Sequence, residues 1–512
     1  MAHDLYNATA DLLDRNLAHP ERVAFRQQGA ATTYGELCER ANRAGNALRS
    51  LGLEMEQRVL LCMLDTPDLP AAFWGAIKSG LVPIPVNTLL TTADYEFMLR
   101  DSRARVLIVS ASLLPKLEPA LAGQPFLKHV IVAGGGGGLP FDSLLARASP
   151  QLATEETLAD DVAFWLYSSG STGTPKGAIH LHGDLVQTAV LYGKGVLGIR
   201  PDDVVFSAAK LFFAYGLGNG MTFPFSVGAT TVLLEGRPTP QSVLDVLRDE
   251  KPTIFYGVPT LFGSILAEPG DRDLGGRVRY CVSAGEPLPR DIGERWKARF
   301  GVDILDGIGS TEMLHIFLSL SPGDIRYGTT GKAVPGYEVG IVDEQDRPLP
   351  PGEIGELRVC GPSSAVAYWN QREKSLRAFR GRWTYTGDKY LCDPDGYYIY
   401  CGRSDDMIKA SGQWVSPAEV EAALVAHPAV LEAAVVAWKD ENGLDKPKAF
   451  IVLKPGALAS AAELQAFVKG QLAPFKYPRW VEFIVELPKT ATGKIQRFKL
   501  RQETAPPLDP AP

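Results

Sequence analysis

Short apolar runs alternate with segments of helical period along most of this chain, and few folds accept that alternation. Residues 58–64 (Arg58-Val59-Leu60-Leu61-Cys62-Met63-Leu64) and 106–109 read as buried strands. Residues 128–133 read as another, and 82–86 as a short extended piece, with helices over 68–78 and 92–100. Helical crossovers between short strands predict a mostly parallel sheet. Thr33 with Glu36 three residues on predicts a capped helix start, and Leu37, Ala41, Ala44 and Leu48 continue it at helical spacing. The pattern resumes at 204–207, 229–234, 253–259 (strand, then turn), 279–286 and 303–312, followed by β-structure near 355–359 and 396–400. It then changes character. A polar knot at 401–409 precedes a helix announced by Ser416, Pro417 and Glu419, then strands at 431–437, 449–453 and 480–485 and a helix at 461–469. The expected architecture is α/β: a large N-terminal region, 1–402, with mostly parallel sheets, and a small, mobile α+β domain, 403–512.

The stretch that organises the chemistry runs from Ser168 to Gly177. Its ten residues include three glycines (Gly170, Gly173, Gly177), five hydroxyls (Ser168, Ser169, Ser171, Thr172, Thr174) and one lysine, Lys176. A backbone so thinly covered lets its N–H groups approach an anion, and the lysine adds one mobile charge, which suits a polyphosphate. It is not the standard P-loop, because Gly177 follows Lys176. The blander alternative is a flexible linker, but linkers rarely stand between two apolar runs. The five glycines at 134–138 lack the following helix of a dinucleotide site and read as a surface turn.

Loops past strand ends hold ligands in open α/β sheets. Glu286 and Glu312 each stand just past such a strand. Either alone could be a surface carboxylate, whereas both together with the phosphate-type loop point to a cation-assisted nucleotide site. Residues 210–219 hold three aromatics and several glycines in or beside one turn, a composition that suits a wall for a flat ligand or plain core packing. His315 could belong to the core, the rim or an organic-substrate pocket. Asp388 beside Gly387 could accept from a ribose diol or cap a turn. Lys494, on a Gly-containing turn near the end, reads as a solvated basic tail or as a lysine that swings in to meet charge on phosphate.

A formal net charge of −7 points away from nucleic-acid and membrane-surface partners. The six cysteines form no CxxC pair and read as reduced thiols of a cytoplasmic protein. The N-terminus has neither the basic nor the apolar region of a secretory signal, and no stretch reaches the length of a membrane span. His180 and His182, two apart on a predicted strand, lack further ligands for zinc. Monomer and homodimer both remain open.

In order along the chain, these motifs resemble the adenylate-forming superfamily of acyl- and aryl-CoA synthetases, luciferases and peptide-synthetase adenylation domains, over essentially the whole chain. The resemblance implies a phosphate loop at Ser168, Ser169, Gly170, Ser171, Thr172, Gly173 and Lys176. It implies an adenine-side segment at Gly285 and Glu286. It also implies a signature from Asp306 and Gly307 to Thr311 and Glu312, with Thr311 meeting phosphate and Glu312 binding Mg²⁺. Asp388 matches the ribose-binding Asp, Arg403 the Arg near it, Asp405 the hinge and Lys494 the adenylation lysine. Lys409 and Gly412 belong to a segment that faces the thiol step after domain rotation. Within the superfamily, residues 210–219 and 310–317 look most like benzoate–CoA ligases, with Phe213 as an aromatic gate and Ala214, Tyr215, Ile308 and His315 against the aryl ring. Thr174 stands where many such relatives have Arg, a departure that could mark a neighbouring subgroup such as the 4-hydroxybenzoate ligases.

The implied reaction takes ATP, an aromatic carboxylate and coenzyme A, with Mg²⁺, through an aryl adenylate to an aryl-CoA, AMP and pyrophosphate, as in aromatic-compound degradation. Lys476 and Arg479 could meet CoA phosphates or be solvated surface residues. A carrier-loading adenylation enzyme shares the motifs, but only a polar, Pro-containing tail follows Arg497, so free CoA is the simpler acceptor. A nucleotide-binding regulator would not need the Lys494 tail, a kinase would form ADP, and a scaffold would need none of it.

Overall fold

Two mostly parallel sheets carry the N-terminal part of the chain, as the alternation predicts. The computed structural model describes residues 4–169, 175–268, 273–404, 406–410, 413–441, 444–473, 476–489 and 495–501, with backbone alone at Ser169, Lys409, Ala410, Gln413, Trp414 and Phe498. One sheet orders its strands Val82–Pro85, Arg58–Cys62, Val106–Ser110, His129–Ala133 and Leu139–Pro140, all parallel. The other runs from Lys332–Ala333 and Ile316–Ser319 at one edge, through Ile304–Gly309, Tyr280–Ser283, Ile254–Gly257, Val204–Ser207, Thr230–Val232 and Val23–Gln27, to Ala30–Thr33. Its interior neighbours are parallel and both edges are antiparallel. Strands such as Val106–Ser110 and Tyr280–Ser283 are buried at every position. That is why they read as unbroken apolar runs rather than alternating ones.

Local signals set the element starts. Thr33 accepts from the Glu36 amide and Glu36 answers at the Thr33 amide, closing the predicted capping box. Ser416 caps Pro417–Val425 through the Glu419 amide, and Ser460 with Glu463 boxes Ala461–Gln471. The exposed turn at 134–138 is as expected. Three expectations need correction. Pro259 opens a helix, Pro259–Ala267, instead of a turn, because proline is at home in a first helical turn. Residues 214–222 are helical, Ala214–Leu217 running into a π-turn at Gly218–Thr222, rather than a simple turn. His182 starts the helix His182–Thr188, so it does not share a strand face with His180.

The chain divides into two compact units, residues 1–339 with 358–385, and residues 340–357 with 386–512. This differs from a single break at 402/403. The antiparallel ladder that sets Asp388 opposite Arg403 binds residues 386–403 into the second unit. That unit also holds a three-stranded sheet, Val430–Lys439 antiparallel to Asp445–Leu453, which is parallel to Trp480–Phe483, with the helices Pro417–Val425 and Ala461–Gln471. The fold class is therefore the expected one: a large α/β region with mostly parallel sheets and a smaller α+β C-terminal part. Among the described residues, no helix is long and apolar enough to cross a membrane.

Candidate active site

The phosphate-type motif is a hairpin. Val162–Ser169 pairs antiparallel with Pro175–Leu181, placing Ser168 opposite Lys176 and Tyr167 opposite Gly177. Gly170, Ser171, Thr172, Gly173 and Thr174 form the connection and lie outside the described residues. Ser168 Oγ is buried with no hydrogen-bond partner. An orphaned hydroxyl at the mouth of such a hairpin is a polar group left for a ligand.

Beyond the strand Ile304–Gly309 the chain reaches Thr311 and Glu312, and two distant segments fix them. His180, fully buried, donates from Nε2 to the Thr311 carbonyl at 2.7 Å, while its Nδ1 lies 3.0 Å from Asp184 Oδ2. Glu312 Oε1 accepts from the Tyr368 hydroxyl at 2.6 Å, and Lys176 Nζ donates to the same hydroxyl at 3.3 Å. The structure thus gathers Lys176, Glu312 and Tyr368. Sequence reasoning missed Tyr368 and His180. The faint signal available was two aromatics, Tyr368 and Trp369, ending a run of small residues at 363–367.

Of the residues expected beside adenine and in the signature, Gly285 and Glu286 follow the strand Tyr280–Ser283, while Asp306 and Gly307 lie within Ile304–Gly309. Gly285 has φ +94°, which favours glycine, and open space where a side chain would stand. Glu286 accepts from Thr260 Oγ1 at 2.8 Å. Asp306 is buried; Leu288 N–H reaches Oδ2 at 3.5 Å and Oδ1 has no partner. Burial pushes its carboxyl up to about 8, because the charged form loses water without gaining a cation. Gly307 continues the strand between Asp306 and Ile308, and Ile308 pairs with Leu318 across the antiparallel edge.

Of the residues expected to line the aryl ring, Tyr215 packs against His315, where it is joined by Tyr192 and Phe223. His315 Nε2 donates to Asn219 Oδ1 at 3.1 Å and to the Tyr215 carbonyl at 3.3 Å, while Nδ1 has no partner. Burial lowers its pKa to about 3, which keeps the ring neutral. The rings of Phe223, Tyr192 and Tyr215 surround it at centroid distances of 4.5, 5.4 and 5.6 Å. Gly218 is required there: a Cβ would stand 2.4 Å from His315 Cδ2. Tyr215 donates its hydroxyl hydrogen to the Val282 carbonyl at 3.0 Å and approaches that of Gly257 at 3.3 Å. Phe213 precedes the helix Ala214–Leu217 and packs edge-on to Phe212 at 4.6 Å. Phe213, Ala214 and Tyr215 are all part-exposed.

In the second unit Asp388 and Arg403 form an ion pair at 2.9 Å, and Arg403 also donates to the Thr386 carbonyl at 3.1 Å. Lys409 is the middle residue of a small ribbon strand, Ile408–Ala410, and lies opposite Trp414. Asp405, Gly412 and Lys494 lie outside the described residues. Asp406, beside Asp405, is gripped by Arg501 and lies 3.9 Å from Arg497, and Arg497 forks onto Glu421. Lys476 is paired with Glu419, and Arg479 lies against Tyr477. All six cysteines are free thiols.

Residues 13–369 match the AMP-binding enzyme family, and 419–494 match its C-terminal domain. This chain belongs to the AMP-binding enzymes. It is a member of the adenylate-forming superfamily and is closely similar to benzoate–CoA ligases. It is 59% identical over 504 residues to a benzoate–CoA ligase of Thauera aromatica, covering 97% of this chain and 96% of that one. A 4-hydroxybenzoate–CoA/benzoate–CoA ligase of Rhodopseudomonas palustris is 49% identical over 511 residues, covering 98% and 94%. The solved structure of a benzoate CoA ligase from Burkholderia xenovorans superposes with a TM-score of 0.91 at 52% identity, covering 97% of this chain and all of that one. Family membership brings use of ATP and CoA.

Proposed function

We propose that this enzyme is a cytoplasmic benzoate–CoA ligase that joins benzoate to CoA through benzoyl adenylate, a reaction of aromatic-compound degradation. One observation carries the choice of an unsubstituted ring: the polar hydrogens that would face a ring substituent are already committed within the protein. Tyr215 gives its hydroxyl hydrogen to Val282, and His315 gives its Nε2 hydrogen to Asn219 and Tyr215. What remains is a wall of rings shaped for a flat apolar ligand.

In the first half-reaction a carboxylate oxygen attacks the α-phosphorus of ATP, forming the mixed anhydride and expelling pyrophosphate. The carboxylate is a weak nucleophile, so the protein's task is to orient it and neutralise charge. Ser168, Lys176, Thr311 and the loop amides would hold the phosphates, with Gly285, Glu286, Asp306 and Gly307 beside adenine and Asp388 with Arg403 at the ribose. Glu312, whose Oε1 is held by the Tyr368 hydroxyl, would offer a carboxylate to a Mg²⁺ carried in with the nucleotide. When bound, Mg²⁺ would neutralise charge on the phosphate oxygens. Lys494 then completes the neutralisation from the C-terminal segment. In the second half-reaction residues 403–512 turn about Asp405, Lys494 withdraws and Lys409 and Gly412 arrive. The CoA thiol attacks the acyl carbon, a thioester forms, and AMP leaves.

A second reading, a substituted benzoate, rests on His315 Nδ1, a buried acceptor with no partner that a ring hydroxyl or amine could satisfy. The deciding experiment is CoA- and acid-dependent AMP formation, comparing kcat/KM for benzoate, 4-hydroxybenzoate, 2-aminobenzoate and a medium-chain fatty acid. Benzoate is expected to lead the substituted rings by about 10- to 100-fold, the range an apolar pocket achieves. Preference for a substituted ring would assign Nδ1 as its acceptor, and no aryl turnover would remove the aryl reading.

A further inference from the structure

We propose that Tyr368 is a positioning residue for adenylate formation: it aims the Glu312 carboxylate at the cation that arrives with ATP and couples it to Lys176 on the phosphate hairpin. This rests on the role given to Glu312 above. The phenol is 6% exposed and its hydroxyl stands between two charged partners, donating to Glu312 Oε1 at 2.6 Å and accepting from Lys176 Nζ at 3.3 Å. An ammonium on the oxygen polarises the O–H and strengthens its bond to the carboxylate. That bond commits Oε1 and fixes the plane of the carboxyl, which leaves Oε2 to ligate the cation. Partners that orient a metal ligand in this way set metal affinity from outside the coordination sphere.

The backbone around Tyr368 ties the same two segments together. Ala365 N–H donates to the Glu312 carbonyl at 2.7 Å, and Trp369 N–H donates to the Gly177 carbonyl at 2.8 Å. Residues 365–369 therefore strap the signature segment to the phosphate hairpin, and the phenol repeats that strap at side-chain level. Packing alone does not call for a tyrosine. The ring lies against Phe379 at 5.3 Å, with Lys176 Nζ 4.5 Å from its centroid, and a phenylalanine would keep both contacts. The hydroxyl, by contrast, bridges the two charged groups.

The test compares Tyr368→Phe with Phe379→Leu, which loosens the ring's packing and keeps its hydroxyl. Mn²⁺ affinity is read by electron paramagnetic resonance on the full chain with a non-cleavable ATP analogue and no acid present. Tyr368→Phe is expected to weaken Mn²⁺ binding about tenfold and to raise half-saturating Mg²⁺ for adenylation by a similar factor. The KM for benzoate and thioester formation from supplied benzoyl adenylate should stay as in the parent, and Phe379→Leu should leave Mn²⁺ affinity unchanged. Unmoved Mn²⁺ affinity in Tyr368→Phe, or equal weakening in both variants, would overturn the proposal. Because this measurement uses no acid, failure of benzoate as substrate leaves it standing. Parent-like Mn²⁺ binding in Glu312→Gln would instead sink the underlying role of Glu312.

Discussion

At the end proposed to hold the aryl ring, Tyr215 and His315 spend their hydrogens on carbonyl and amide oxygens of the protein, and three rings enclose the imidazole. At the end proposed to meet phosphate, Ser168 Oγ and Asp306 Oδ1 are buried without partners, and Gly285 faces open space. Asp306 and Gly285 stand on or just past strands of the nine-stranded sheet, and Ser168 on a separate antiparallel hairpin, yet these residues treat polar atoms differently from those around His315. The difference follows from what each must recognise. A bare ring offers shape and no hydrogen bonds, so the donors of its wall are spent within the protein, although the His315 Nδ1 acceptor is left unpartnered. Phosphate, adenine and a metal ion offer many, so their side keeps groups unpaired until the nucleotide arrives. Selectivity among acids then comes from packing, while rate comes from groups that find partners only with ATP in place.

The sharpest way to break this contrast is Lys494→Ala. If charge neutralisation belongs to the phosphate end alone, adenylation should fall on the order of 10²- to 10³-fold while conversion of supplied aryl adenylate to thioester is largely spared. Rapid-quench measurement of each half-reaction checks it, and equal loss in both would erase the division of labour. Gly218→Ala attacks the rigid end. With 2.4 Å available beside His315, it should cost about 1–3 kcal/mol of stability and raise the benzoate KM, with ATP binding kept. Thermal melts and titration of each substrate would show whether the two ends are separable. Tyr215→Phe is gentler. It leaves the Val282 carbonyl without its phenol donor, so about 1–2 kcal/mol should be lost in the melt, with little change in the ATP KM. A specific loss of 4-hydroxybenzoate turnover would instead show the hydroxyl serving the ligand.

The smallest effect probes the open end through pH. Asp306 titrates near 8 in the folded protein, and an ordinary aspartate in the unfolded chain near 4. Between those values the unfolded chain binds fewer protons, so this group's stabilisation is full below about pH 4 and disappears as pH rises through about 8. Without nucleotide, the melting temperature of the parent should fall relative to Asp306→Asn across that window. Parallel curves would mean that Asp306 already has a partner and that the phosphate end is as satisfied as the aryl end.

Much of this was legible in advance where the signal is local. Capping boxes at Thr33 and Ser460, the apolar strand runs, and the Gly/Ser/Thr stretch before Lys176 each declare themselves within a few residues. The helical state of 214–222 was not legible, because glycines that look like turn residues are there to let His315 approach the backbone at Gly218. His180 resembled half of a possible metal pair, yet it supports the Thr311 carbonyl.

By itself the sequence determined the fold class and the family and pointed to the segments proposed to meet phosphate, since those follow from periodicity and from residue types needed close together in the chain. The tertiary structure decided which atoms are spent and which are left. His180 reaches Thr311 across 131 residues, Tyr215 reaches Val282 across 67, and Tyr368 reaches Glu312 across 56. Spacing along a chain carries no information about such pairs. They exist because separate strands deliver their ends to one place, and hydrogen bonds are satisfied in space rather than in order.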